Sequence, residues 1–189
     1  MSRASAVLAR LRVPLGFGVG AAALWLAQPT MATVVAGGII ACAGEALRVW
    51  AAGHLIKSRE VTSSGPYRLV AHPLYVGSSI MGAGVAIGSN SSVVSGLVAA
   101  YLAVTITAAI RNEEEFLRRR FGERYERYQR SGASVDGGAI DDSTAARRFS
   151  IRRAVENHEP RALVGLAAAI LLLLLKATYN GSLGGAVGP

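Results

Sequence analysis

The sequence predicts an all-α fold, a polytopic membrane helix bundle of about five transmembrane helices with a cytoplasmic amphipathic helix. The apolar residues, 51% of the chain, are gathered into nearly uncharged blocks. Most blocks have roughly 17–22 residues, the length that a helix needs to cross the hydrocarbon. Short turns without Lys or Arg alternate with basic segments between these blocks. Because a backbone in lipid must satisfy its own hydrogen bonds, the blocks are expected to be helical.

Four of the predicted spans belong to a core of residues 1–130, and turn signals separate them. Gln28-Pro29-Thr30 divides the first span from the second, and Asn90-Ser91-Ser92 divides the third from the fourth. Pro73 opens the third span, since a proline costs nothing in the first turn of a helix, where the N–H has no partner. The predicted spans are residues 13–27, 33–52, 73–89 and 93–110.

After this core, the chain is predicted to stay on the cytoplasmic side until one further span crosses the membrane. Residues 111–130 form an amphipathic helix in this prediction, because apolar and aromatic side chains recur every three or four residues. Residues 131–161 are predicted to be a cytoplasmic linker, whose first part is rich in Gly, Ser, Asp and Ala. The additional span covers 162–179, with Lys176 near enough to its end to reach the interface.

The 20 Lys and Arg residues predict the orientation. With five spans, the basic N-terminus, the segment between the second and third spans, and residues 111–161 fall on one side, which the positive-inside rule makes cytoplasmic. The net charge of +8 is therefore assigned to topology, and no nucleic-acid partner is predicted. We expect an integral protein of a bacterial inner membrane with a cytoplasmic N-terminus. The single cysteine, Cys42, excludes an internal disulfide, and no metal site is predicted.

Two motif blocks carry the residues suited to chemistry. The first reads TSSGPYRLVAHPLYVG at residues 62–77, and the second reads RNEEEFLRRRFGERYERY at residues 111–128. In this order, and with a helical hairpin between them, they resemble the isoprenylcysteine carboxyl methyltransferase and phospholipid methyltransferase group of membrane enzymes. The resemblance covers about residues 47–128. It implies S-adenosylmethionine as cofactor and a membrane lipid or lipidated molecule as methyl acceptor. An isoprenylcysteine carboxylate is one such acceptor.

The resemblance implies cofactor contacts from both blocks, and the residue types suit such contacts. The start of the third helix offers free N–H groups and a positive dipole end to a carboxylate. Tyr67 can offer its hydroxyl or ring face to adenine, and Glu113 can accept from the ammonium or the ribose hydroxyls. The predicted cofactor-binding residues are Val61, Thr62, Tyr67, His72, Pro73, Leu74, Tyr75 and Glu113.

Arg111 and Glu114 are the predicted catalytic residues. Methyl transfer to a carboxylate is an in-line displacement, in which positioning and exclusion of water do most of the work. Arg111, at the membrane boundary, would hold that carboxylate against the sulfonium. An amine acceptor would instead have to lose a proton, and a carboxylate could serve as its base. Three acids in a row, Glu113 to Glu115, cannot share one helix face, so at least one is expected to be solvated.

The hairpin predicts how the two blocks meet. The short turn at residues 90–92 makes the third and fourth spans antiparallel, so their cytoplasmic ends return to the same level. Adjacent helices pack with axes about 8–10 Å apart, and His72 and Glu113 are therefore expected on the walls of one pocket, with their Cα atoms within roughly 15 Å.

Other interpretations stay open. If the protein is a methyltransferase, a phospholipid head-group amine is the alternative acceptor. A membrane reductase with a nicotinamide cofactor is a second alternative. A non-catalytic membrane protein that keeps the fold is a third, because Ala71 stands where the family usually has an arginine before His-Pro. Glu45 and Arg48, three residues apart on one helix, are interpreted as a structural ion pair.

Overall fold

The computed structural model describes residues 3–55, 65–122 and 148–185, and the elements within these ranges are all helical. The all-α prediction is therefore confirmed. In chain order the elements are α1 (Arg3–Leu26), α2 (Met31–His54), a 3₁₀ turn (Gly65–Arg68), α3 (Pro73–Ser89), α4 (Ser92–Phe121), the short α5 (Ile151–Glu156) and α6 (Glu159–Gly185).

Three helices in the described part of the chain are long and apolar enough to cross a membrane. They are α2, the part of α4 over Ser92–Phe116, and the part of α6 over Glu159–Gly181. The apolar part of α1, Pro14–Leu26, is shorter, and α3 has 17 residues. The prediction of a helical membrane bundle is thus confirmed, while the number of five spans stays a prediction.

α4 continues beyond the predicted end of the fourth span. The change of polarity at Arg111 predicts a boundary there, yet α4 runs as one helix of 30 residues to Phe121. No Gly or Pro interrupts the segment before Gly122, whose φ of 48° ends the helix. The first half of the predicted amphipathic helix is therefore an extension of α4, and its second half, residues 123–130, lies outside the described residues.

The predicted linker is also partly helical. Its first part, residues 131–147, lies outside the described residues, but α5 falls within the remainder and α6 already begins at Glu159. Ser150 donates its backbone N–H to the Gly53 carbonyl at 3.1 Å, and Asn157 Nδ2 donates to the carbonyl oxygens of Ala52 and Leu55 at 2.9 and 3.1 Å. These bonds give donors to carbonyls at the C-terminus of α2, where a helix runs out of N–H groups of its own. The segment before α6 is thus attached to α2.

The two uncharged turns meet at one end of the bundle. Gln28 donates its backbone N–H to the Ser89 carbonyl at 2.8 Å, and Asn90 Nδ2 donates to the Gln28 carbonyl at 3.1 Å. Asn90 adopts the left-handed conformation with φ of 50°, which asparagine tolerates better than most residues, and so reverses the chain between α3 and α4. The predicted antiparallel hairpin is therefore present.

Lys176 joins α6 to α1 near these turns. Its Nζ donates to the carbonyl oxygens of Leu24 and Trp25 at 2.6 and 2.8 Å. These carbonyls belong to the last turn of α1, which leaves them without N–H donors inside the helix. The sequence predicts that this ammonium reaches the interface, and the structure adds that it binds the end of a neighbouring helix.

α2 packs most extensively against α3, and glycines make the approach close. A Cβ added to Gly44 would lie 2.6 Å from the Gly77 carbonyl oxygen, and one added to Gly77 would lie 2.7 Å from the Gly44 carbonyl oxygen. Both separations are too short for real Cβ atoms, so the two backbones are in direct contact. Small residues allow such packing in membranes, where lipid supplies no hydrophobic force between helices.

A methyl group between these backbones should destabilise the bundle. Gly44→Ala is expected to lower the free energy of unfolding by about 1–3 kcal/mol, because α2 and α3 must separate to admit the Cβ. Gly96→Ala on α4 is the matched control, since a Cβ there meets nothing within 4 Å. Thermal unfolding in detergent measures both variants, and equal melting temperatures would contradict the packing argument.

Candidate functional site

The two motif blocks meet between the first turn of α3 and the last third of α4. His72 Nδ1 lies 3.9 Å from Glu113 Oε2, and His72 Nε2 lies 3.7 Å from Glu114 Oε1. The Tyr75 hydroxyl donates a hydrogen bond to Glu113 Oε2 at 3.0 Å. The predicted proximity of His72 and Glu113 is confirmed. These four residues are called the α3–α4 cluster below.

The start of α3 gives the cluster its shape. His72 is the N-cap residue of α3, but its side chain makes no capping hydrogen bond, which leaves the imidazole directed to α4. Pro73 occupies the first helical position. Tyr75 donates its backbone N–H to the His72 carbonyl at 3.1 Å. Pro73 has no N–H to donate. The N–H of Leu74 therefore remains in this first turn without an acceptor inside the helix. An anion at this end would meet that N–H and the positive end of the helix dipole.

The carboxylates of α4 divide between two faces. The side chains of Glu113 and Glu114 are half-buried and face His72. Glu115 forms an ion pair with Arg119 one turn further along the helix, at the surface. The prediction that the three acids cannot share one face is thereby confirmed. The cluster combines two carboxylates, an imidazole and a phenol in a site that water can still reach.

Not every predicted site residue joins this cluster. Arg111 is exposed on α4, two residues from Glu113 and three residues from Glu114. Its catalytic role stays a prediction. Tyr67 is buried in the 3₁₀ turn that precedes α3. The remaining two predicted cofactor contacts, Val61 and Thr62, lie outside the described residues.

A second polar cluster lies deeper in the bundle, around Arg48 of α2. Its Nη2 donates to both carboxylate oxygens of Glu159 on α6, at 3.1 and 3.2 Å, and its Nη1 donates to Ser78 Oγ on α3. Arg48 Nε lies 3.4 Å from Glu45 Oε2. Ser78 Oγ in turn donates to the Leu74 carbonyl at 2.9 Å. These residues form the Arg48 cluster. It joins α2, α3 and α6, and through Ser78 it reaches the first turn of α3.

Sequence reasoning found only part of the Arg48 cluster. It predicted the pairing of Glu45 with Arg48, which the separation of three residues makes visible on one helix. Glu159 is 111 residues from Arg48, and no local pattern marks it. Its position in the first turn of an apolar helix, where a carboxylate also suits the helix dipole, was the available signal. Within the described residues, no group of three His, Cys, Asp or Glu side chains is placed to hold a metal ion.

The comparisons with known proteins agree with this architecture. The described helices form a membrane bundle in which the two motif blocks meet at one hairpin. The phospholipid methyltransferase family matches residues 23–124, more than half of the chain, and the chain belongs to this family. The family is described as phospholipid methyltransferase. The matched residues end before α5 and α6.

One curated relative and the solved structures complete the comparison. The chain is similar to the nickel-cobalt-cadmium resistance protein NccN of Alcaligenes xylosoxydans xylosoxydans, with 30% identity over 101 residues. Those residues are 52% of this chain and 46% of that protein, so the chain spans about half the length of this relative. No solved structure matches the chain significantly.

Removing Glu159 tests whether the Arg48 cluster holds α6 in place. Glu159→Ala leaves the partly buried Arg48 guanidinium with Glu45 alone, and breaking a buried pair costs about 3–5 kcal/mol. We expect the lower end of that range, because Glu45 remains 3.4 Å from Arg48 Nε. Glu115→Ala removes the exposed pair with Arg119 and should cost less than about 1 kcal/mol. Chemical denaturation in detergent compares the two, and equal losses would refute a structural role of Glu159.

Proposed function

We propose that this protein transfers a methyl group from S-adenosylmethionine to a lipid head group at the membrane, with the α3–α4 cluster as its cofactor site. The convergence of His72, Tyr75, Glu113 and Glu114 from both motif blocks is the observation that carries the proposal. S-adenosylmethionine supplies a methyl group activated by its sulfonium, and the acceptor forms a bond to the methyl carbon as the carbon–sulfur bond breaks.

The residues of the α3–α4 cluster fit the polar groups of this cofactor. The Leu74 N–H and the uncapped amino end of α3 suit a carboxylate. Glu113 already accepts one hydrogen bond from Tyr75 and has lone pairs left for an ammonium or a ribose hydroxyl. Two half-buried carboxylates also stabilise the positive charge of a sulfonium. Tyr67, Val61 and Thr62 complete the proposed contact set.

The charge of the cluster favours an amine acceptor over a carboxylate. At an effective dielectric constant of about 20, two like charges 4 Å apart repel by about 4 kcal/mol, so Glu113 and Glu114 would oppose an anionic nucleophile. Arg111 is exposed at the surface of α4, and Ala71 has no group to bind an anion. A lipid ammonium is instead attracted to the cluster. Glu114 is the proposed base that accepts its proton, so that the amine lone pair is free to attack.

The position of the cluster suits a reaction between a water-soluble cofactor and a lipid. The predicted topology puts the start of α3 and the end of α4 at the cytoplasmic face of a bacterial inner membrane, with basic segments around it. The cofactor would reach the cluster from the cytoplasm, while the head group of a lipid reaches it from the bilayer surface. Methyl transfer then depends on positioning the two reactants.

Binding of the product S-adenosylhomocysteine tests the cofactor site. His72→Ala and Tyr75→Phe should each weaken binding roughly 10–150-fold, because a lost hydrogen bond to a charged group costs about 1.5–3 kcal/mol. Isothermal titration calorimetry in detergent measures the affinity. Glu115→Gln, on the same helix but at the surface, is the control and should bind like the parent. Unchanged affinity in both His72→Ala and Tyr75→Phe would remove these residues from the site.

A methyl-transfer assay tests the acceptor class. Protein in vesicles that contain phosphatidylethanolamine and a farnesylcysteine analogue should, with methyl-labelled cofactor, label the lipid amine. Glu114→Gln should lower that rate by about 10²–10⁴, the usual contribution of general base catalysis. Label in the farnesylcysteine ester, with none in the lipid, would show that a carboxylate is the acceptor and that Glu114 has another role.

A further inference from the structure

An apolar cavity of about 720 Å³ opens between α2 and α6. Val49 and Trp50 of α2 line it on one side, Leu166 and Ile170 of α6 line it on the other, and Phe149 also contributes. Its volume is within the range of about 300–1,000 Å³ that is usual for ligand pockets. No residue of the α3–α4 cluster contributes to its walls. We call this cavity the α2–α6 groove.

Glu45 is the charged residue among those that line the groove. The residue is only 3% exposed, and neither carboxylate oxygen has a hydrogen-bond partner among the described residues. Arg48 lies nearby, but its Nη groups are engaged by Glu159 and Ser78, and its Nε makes no hydrogen bond to Glu45. A buried carboxylate that has an ion-pair contact at 3.4 Å but no hydrogen bond is costly, and so its oxygens can still accept donors from a ligand.

The charges around Glu45 define what kind of ligand suits it. Glu45 and Glu159 share the single guanidinium of Arg48, which leaves one negative charge over when both carboxylates are ionised. An ammonium supplies the opposite charge and up to three hydrogen-bond donors. A neutral or anionic head group supplies no such charge. The walls of the groove require the rest of the ligand to be hydrocarbon.

The groove is open on its outer side, where the bundle would face lipid. Leu163 of its lining is 52% exposed and Trp50 is 41% exposed. A lipid could therefore enter sideways from the membrane without unfolding a helix. We propose that the α2–α6 groove binds a lipid amine, with its ammonium on the Glu45 carboxylate and its hydrocarbon chain between α2 and α6. This site goes beyond the proposed methyl transfer, and α6 lies outside the residues that match the family.

Fluorescence of Trp50 reports on occupancy of the groove. The chain has two tryptophans, so Trp25→Phe leaves Trp50 as the only emitter. Trp25 is 85% exposed and does not line the groove. The protein would be reconstituted in phosphatidylcholine vesicles and titrated with dibromostearylamine, whose bromines quench tryptophan on contact. Dibromostearyl alcohol is the matched neutral probe. The amine should reach half-quenching at a mole fraction about tenfold below that of the alcohol, as expected for a charge-assisted hydrogen bond.

Three variants in the Trp25→Phe background assign the effect. In Glu45→Gln, the amine should reach half-quenching at the same mole fraction as the alcohol. Glu115→Gln, a surface control, should keep the tenfold preference for the amine. Ala167→Phe fills the groove and should weaken quenching by both probes. Equal quenching by amine and alcohol in the parent would mean ordinary packing of lipid chains and would overturn the proposal. A preference that persists in Glu45→Gln or unaltered quenching in Ala167→Phe would overturn it as well. Circular dichroism checks that each variant is folded.

Discussion

The direct contact between the backbones of α2 and α3 is the constraint on which the rest of the structure depends. Because Gly44 and Gly77 bring the two helices together, Arg48 of α2 reaches Ser78 of α3. Ser78 in turn binds the Leu74 carbonyl, in the turn that begins α3. The same turn presents the residues that meet α4. Tight packing inside the bundle thus fixes the geometry of a site at its edge, since a helix displaced by a side chain could not make these contacts.

Polar contacts attach α6 at two separate points. Glu159 binds Arg48 at the beginning of the helix, and Lys176 binds carbonyls of α1 about two thirds of the way along it. In lipid, apolar surfaces alone give little preference for one helix arrangement, whereas a buried ion pair or a bonded ammonium specifies position and register. The family match ends before α6, yet the helix is integrated into the bundle by a residue of the matched core. It also completes one wall of the α2–α6 groove.

The bundle contains two acidic sites with different environments. The α3–α4 cluster is half-buried at the end of a helix hairpin, where both a soluble molecule and a lipid head group have access. Glu45 instead lies inside the bundle beside an apolar groove. Each site has two carboxylates and therefore favours cations, but the two sites differ in what surrounds the charge. The first suits a polar cofactor with several hydrogen-bonding groups, and the second suits a ligand with one polar head and a long apolar chain.

Local patterns in the sequence determined the helical class, the hairpin around Asn90 and the meeting of His72 with Glu113, because span length and turn residues act over short distances. Only the tertiary structure decided which residues complete the site. Glu113 and Glu114 face His72 while Glu115 pairs with Arg119, because α4 continues without a break and sets the rotation of every side chain on it. Glu159 pairs with Arg48 across 111 residues, since such a contact depends on how helices pack and leaves no periodic trace in the sequence.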